Sequence, residues 1–207
     1  MPDGKPHHVS ATGTPLFDTN GLFLGYRGIG RDVTVDVLIE QRVARLRDFY
    51  AALSKANEAI IHARDERRLF DEICEVAVTY GHAIFARICL INPDTGFLDN
   101  ISVFGDHQGY PYNTSISVRP DVKEGQGPAG HALRTGTPYV GNDIQADEKN
   151  YFWLPAMLAA GARAMVVFPL SRGGEVVGSL HLYAAEKNWF DEGLIALIGE
   201  LVANISF

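Results

Sequence analysis

Three glycines, Gly125, Gly127 and Gly130, hold the Gly-x-Gly-x-x-Gly spacing that cradles a pyrophosphate when a buried strand precedes it and a long helix follows. Neither flank fits, because Arg119-Pro120-Asp121-Val122-Lys123-Glu124 is polar and the helix expected after Gly127 is short. The glycines are read instead as letting a loop come close to a pocket. His131 lies on that short helix, whose N-terminus near Gly127 favours an anionic or carbonyl group of a ligand. As a metal ligand it stands alone, with no second histidine at i+3 or i+4 and no acidic pair nearby. A surface or hydrogen-bonded histidine is the competing reading.

His181 shares a strand face with Ser179 and Tyr183, while Leu180 and Leu182 point the other way. If that face lines a pocket, His181 is a polar ligand contact; if it meets helices, it is a satisfied core histidine. Tyr110, Tyr112, Tyr139, Tyr151, Phe152 and Trp153 gather in the loop-rich half of the chain. Such aromatics form ligand walls with phenolic and indole donors, or fill the core beneath long loops. Arg163 is placed to pair with Asp143, either to hold a loop or to receive an anion. No histidine stands near a nucleophile and no carboxylate pair falls on active-site spacing, so the residues present are not read as an enzyme. Cys74 and Cys89 are too few and too far apart for a disulfide framework, a redox pair or a zinc site.

The elements that must position these groups are legible in the pattern. Residues 161–183 hold two apolar runs around Gly173-Gly174, which is a hairpin. Neither run alternates cleanly, so both faces of the sheet are expected to be covered. A second hairpin pairs 82–91 with 97–104 across Asn92-Pro93-Asp94-Thr95-Gly96. Residues 114–118 alternate within a loop-rich stretch, and short helices are expected over 128–133 and 151–160.

A long helix is expected from Thr34, acting as cap, to about residue 64, and a second over 66–80 stopped by Gly81. Ile39, Leu46, Leu53 and Ile60 recur every seven residues, a stripe suited to pairing with a copy of itself or to packing on its own domain. The last segment, 191–207, puts Leu194, Leu197, Ile198, Leu201 and Ile205 on one face and carries no stop signal, so the native chain is expected to continue. Residues 1–34 read as one hairpin turning at Asp18-Thr19-Asn20-Gly21.

At 207 residues and 46% hydrophobic, the chain can bury one domain of roughly 150 residues with extensions. A formal charge of −7, from 25 acidic and 18 basic residues, argues against nucleic acid or anionic membrane as a partner. No run is long enough to span a bilayer and no secretory pattern opens the chain, which places it in the cytoplasm.

The order helix, helix, hairpin, loops with two short helices, hairpin, terminal helix from about Leu46 to Phe207 resembles a GAF domain. The resemblance is carried by Gly127-Pro128-Ala129-Gly130-His131-Ala132, Thr135-Gly136-Thr137-Pro138, Asn142-Asp143-Ile144, Gly161-Ala162-Arg163-Ala164, Phe168-Pro169-Leu170 and Gly178-Ser179-Leu180. It implies an α+β fold with a six-stranded antiparallel sheet, N- and C-terminal helices on one face and a loop and short-helix pocket on the other. The stretch Gly25-Tyr26-Arg27-Gly28-Ile29-Gly30-Arg31-Asp32-Val33-Thr34 resembles the last strand of a PAS domain and the step into a signalling helix. The implied organisation is a PAS remnant over 1–34, a signalling and dimerisation helix over 35–64 and a GAF domain over 65–207.

What the resemblance implies functionally is a sensory or regulatory module of a bacterial signal-transduction protein. It would bind an unidentified small molecule, form a homodimer and act on a downstream output domain, a histidine kinase or a cyclic-di-GMP enzyme. The alternative is a ligand-free dimerisation or spacer domain. The cyclic-nucleotide signature Asn-Lys-x-Phe-Asp is not complete in Lys149-Asn150-Tyr151-Phe152, and neither cysteine sits where a bilin thioether or a methionine-sulfoxide chemistry needs one. No cofactor is indicated. The candidate ligand contacts are Tyr110, Tyr112, Gly127, His131, Tyr139, Asp143, Phe152, Trp153, Arg163 and His181.

Overall fold

The computed structural model describes residues 7–62, 65–147 and 152–206. The chain forms two compact units, Met1–Arg47 and Asp48–Phe207. In the first, β1 (Val9–Phe17) and β2 (Phe23–Asp32) pair as an antiparallel hairpin. The Asp18 carboxylate closes the turn by accepting from the N–H groups of Asn20 and Leu22, with Gly21 in the left-handed region at φ 81. Helix α1 (Thr34–His62) follows, but Thr34 does not cap it as expected. Its hydroxyl accepts from the His8 N–H at 2.8 Å, while Asp32 accepts from the Thr34 N–H at 2.9 Å. The Val37 N–H, which a Thr34 cap would serve, bonds to the Val33 carbonyl at 3.0 Å, and the bonds from Thr34 hold the Asp32 pKa down. Residues 63–64, where the helix was expected to end, lie outside the described residues.

The second unit takes in the C-terminal half of α1 together with α2 (Glu66–Thr79), β3 (Phe85–Ile91), β4 (Leu98–Gly105), α3 (Pro128–Thr135), β5 (Tyr139–Gly141), α4 (Leu154–Ala159), β6 (Ala164–Arg172), β7 (Glu175–Ala184) and α5 (Glu192–Ile205). Local signals explain most boundaries. Asp65 and Asp191 cap α2 and α5, accepting from the N–H groups of Arg67 and Leu194. Gly136 ends α3 in the left-handed conformation at φ 65. Strand β3 starts at Phe85 rather than His82, because His82 occupies the left-handed region at φ 55, incompatible with a strand.

The strands form one antiparallel sheet in the order β4-β3-β7-β6-β5. It has five strands, which corrects the expected six. Segment 114–118 runs beside the end of β4 and makes a single bridge, Phe97 to Ser117. Leu98 donates to the Ile116 carbonyl and Val118 to the Gly96 carbonyl, after which Pro120, without an N–H, follows at once. The ladder stops there.

Alternation along the strands separates two covered faces. One presents Ile88, Val166, Phe168, Leu180 and Leu182, all buried. Leu182 shares an apolar contact region with Phe49, Ala52 and Leu53 of α1, Val76 and Ala77 of α2, and Leu197, Ile198 and Leu201 of α5. Among the described α1 residues the buried ones are Phe49 and Ala56, which flank the expected stripe, and Ala52, while of the stripe itself Leu46, Leu53 and Ile60 are half-buried and Ile39 is exposed. Asn57 accepts from the Asn204 side chain of α5 at 2.8 Å. The other face presents Phe85, Arg87, Met165, Val167, Ser179, His181 and Tyr183, and loops and short helices cover it.

Candidate functional site

The site is built from the second face. Arg87 on β3 stands opposite His181 on β7 in the antiparallel register, and Tyr183 lies two residues beyond His181. Loop residues Tyr110 and Ile116, the start of α3 at Gly127-Pro128-Ala129, and Trp153 and Met157 at α4 close over them, with Met165 from β6 as a side wall. The chamber so formed is tight. Its interior admits the centre of a water molecule over only about 10 Å³, room for roughly one water.

The polar end is a connected set. Arg87 is 1% exposed, and its Nη2 donates to the Tyr183 hydroxyl at 3.1 Å. Its guanidinium carbon lies 5.4 Å from the Tyr110 ring centre and 5.9 Å from that of Tyr183. His181 is fully buried, with Nε2 at 2.8 Å from the Ser179 hydroxyl and Nδ1 at 3.4 Å from that of Tyr183. Phe85 stacks on Tyr183 at 4.1 Å between centroids, and Tyr110 meets Tyr183 edge-on at 5.7 Å. Among the described residues lining this chamber there is no carboxylate, and the Arg87 Nε–H has no acceptor.

These surroundings fix the charge states. Burial, and then the Arg87 charge, hold the His181 imidazole well below its ordinary pKa, so it is neutral. Burial raises the Tyr110 hydroxyl pKa well above the phenol range, and burial likewise raises that of Tyr183. Burial works to discharge Arg87, and the Tyr183, Cys89 and Tyr110 groups that raise its pKa do so only when ionised; at neutral pH they are uncharged, while the guanidinium keeps its proton throughout. Among the described residues the chamber therefore holds one cation without an anionic counterpart. Burial also pushes the Cys74 thiol up to about 12 and raises that of Cys89.

Close packing accounts for the glycine motif. A Cβ on Gly127 would stand 2.2 Å from the Trp153 ring, one on Gly125 would strike the Arg119 carbonyl and one on Gly130 the Gly125 carbonyl. Trp153 itself is tied down, its Nε1–H donating to the Ser115 carbonyl at 3.1 Å. The Arg134 guanidinium donates to the carbonyls of Gly125 and Val118 at 2.6 and 3.0 Å, joining α3 to the loop before it. The spacing builds a wall.

Of the residues expected at the site, Tyr110, Gly127, Trp153 and His181 meet in the chamber. Tyr139 belongs to the same buried cluster without lining the space. Tyr112 and Phe152 are exposed at 64% and 55%, and His131 is half-buried on α3 outside the lining. Tyr151 lies outside the described residues. The expected Arg163 and Asp143 pair does not form. Asp143 accepts from Lys187 at 2.8 Å, a partner 44 residues away, while Arg163 donates to the Ala162 carbonyl at 2.7 Å and the Leu158 carbonyl at 3.4 Å. A guanidinium beside the C-terminal carbonyls of α4 is satisfied there. The Lys187 bond holds the Asp143 pKa down. Sequence reasoning missed Arg87, Ile116, Met157 and Met165, and it put Tyr183 on the right strand face without choosing it as a contact. For Arg87 a signal existed: it is the single charge in the otherwise apolar strand Phe-Ala-Arg-Ile-Cys-Leu-Ile.

Comparison with known proteins places this geometry. The GAF domain family model matches residues 63–207. A free methionine-R-sulfoxide reductase from Neisseria meningitidis, solved with its substrate, superimposes with a TM-score of 0.64 at 18% identity, covering 76% of this chain and 86% of that one. The GAF domain of a phosphoenolpyruvate-protein phosphotransferase from Coxiella burnetii gives 0.62 at 14% identity, covering 78% and 92%. The corresponding domain from Acinetobacter gives 0.60 at 12%, covering 76% and 90%. These likenesses concern the fold. No curated protein matches the chain. Among the described residues no helix is long and apolar enough to cross a membrane.

Proposed function

The chain belongs to the GAF domain family, and from that premise we propose that its chamber is the ligand site of a sensory module in a bacterial signal-transduction protein. GAF domains are generally regulatory, small-molecule-binding units. The observation that carries the reading is Arg87: a guanidinium 1% exposed, lining the chamber with an acceptorless Nε–H and, among the described residues, no carboxylate beside it. Burying such a charge costs several kcal/mol, and a module that only holds space gains nothing in return. The wall residues Tyr110 and Trp153 come from irregular or short elements, the segments that yield first when a ligand enters.

In the same proposal the hairpin before α1 is the end of a PAS domain and α1 is a signalling helix through which two copies pair. Val35, Leu38, Ile39 and Val43 of α1 are exposed, which supports that part. Ligand state would pass through α1 and α5 to an output domain, histidine kinase or cyclic-di-GMP enzyme, as a shift between two helix packings. The residues present carry no catalysis in this reading. Both cysteines are buried with raised thiol pKa values, the opposite of what a nucleophilic thiol needs.

A second reading, a spacer whose pocket is filled by its own aromatics, is favoured by the one-water size of the chamber. Native mass spectrometry of the purified protein beside its denatured mass separates the two. A retained or added small molecule on a dimer supports the sensor; a protein that takes up nothing from a broad metabolite set supports the spacer.

A further inference from the structure

Resting on the small-molecule reading above, we propose that the chamber takes a short aliphatic monocarboxylate without an ammonium group. Its carboxylate pairs with Arg87, and its hydrocarbon end lies against Met157, Met165 and Trp153. Four observations converge on this class. First, Arg87 is buried with its Nε–H unanswered and its Nη2 on a neutral phenol, so the missing partner is an acceptor with negative charge. A planar carboxylate matches the guanidinium fork, replacing weak contacts with charge-assisted hydrogen bonds.

Second, among the described residues a single cation lines the space while His181 beside it is neutral, so a dianion such as phosphate or a dicarboxylate would leave one charge uncompensated. Third, no Asp or Glu among the described residues lines the chamber, so the ammonium of an amino acid would be stranded. That distinguishes this chamber from one made for a free amino acid or its sulfoxide. Fourth, the wall away from Arg87 is apolar, with Ile116, Met157 and Met165, and the space is small. A chain of a few carbons fits once Trp153 and Tyr110 give way, and the two flexible thioethers adapt to its length.

The test is calorimetry and thermal unfolding of the full chain with acetate, propionate, butyrate and pyruvate. The comparison compounds are propionamide, butyramide, inorganic phosphate and alanine. We expect at least one monocarboxylate to bind saturably and raise the unfolding temperature, while its amide, phosphate and alanine do not. In Arg87→Met that carboxylate should bind at least about 30-fold more weakly, with Arg87→Lys intermediate. If Arg87→Met fails to fold, the carboxylate and amide pair on the wild-type chain decides by itself. Equal binding of butyrate and butyramide, or binding of alanine or phosphate in place of the monocarboxylates, overturns the carboxylate assignment and leaves a small-molecule sensor standing. Absence of binding by all of these, and by a broad metabolite set, overturns both.

Discussion

The two faces of the five-stranded sheet are buried alike and built differently. Toward the helices, β3, β6 and β7 present Ile88, Val166, Phe168, Leu180 and Leu182, and the contacts are apolar. Toward the loops β3 and β7 present Arg87, Ser179, His181 and Tyr183, buried just as fully. The helix face is what a core needs for stability, since its burial is favourable without any polar partner. The loop face spends stability on desolvated polar groups and leaves a cation unmatched. The contrast is the reason we propose that the loop face is the functional one, because a fold under selection for stability alone would have no use for Arg87.

Substitutions break or sharpen that contrast. The largest effect is expected on the helix face: Leu182→Ala should lower unfolding free energy by about 2–5 kcal/mol in urea titrations, as for other buried leucines. On the opposite face Arg87→Met should move the other way in ligand-free protein, from neutral to about 1–4 kcal/mol more stable. Equal losses at both positions would erase the distinction. Gly127→Ala should cost about 1–3 kcal/mol, because its Cβ must push the Trp153 ring aside, and should change tryptophan fluorescence.

A pH titration reaches the loop face through His181. His181 is buried neutral, facing Arg87 on β3 with Ser179 and Tyr183 on its own strand, and its folded pKa lies well below the unfolded value near 6.5. Below about pH 6.5 the unfolded chain binds a proton that the folded one refuses, so stability is complete above that pH and declines as pH falls. The slope attributable to this group is at most about 1.4 kcal/mol per pH unit, and His181→Gln should flatten it. The smallest effect belongs to the helix face again. Asp191→Ala removes the acceptor of the Leu194 N–H at the start of α5 and should cost about 1 kcal/mol.

Much of this architecture is written locally. Gly173-Gly174, with φ of 59 and 87, marks the β6-β7 hairpin, and the stripe Leu194, Leu197, Ile198, Leu201 and Ile205 marks the buried side of α5. Strand alternation correctly groups Ser179, His181 and Tyr183 on one face. What the pattern could not convey depends on long-range neighbours. Arg87 is buried because β3 lies between β4 and β7, and Asp143 meets Lys187 because the β7-α5 connection returns beside it. The missing sixth strand has the same origin, since segment 114–118 alternates well but bends away after one bridge. Loop aromatics divided for a related reason. Tyr110 and Trp153 anchor inward through packing and the Ser115 carbonyl, whereas Tyr112 and Phe152, equally aromatic, face outward.

Whether Arg87 waits for an anion is read from the Arg87 Nε–H resonance in nitrogen-labelled protein, assigned by its loss in Arg87→Lys. Titration with butyrate should shift that resonance saturably to lower field, in step with calorimetric binding, while butyramide leaves it in place. A resonance indifferent to every monocarboxylate tried, in a protein that binds a neutral molecule or nothing, would contradict the claim.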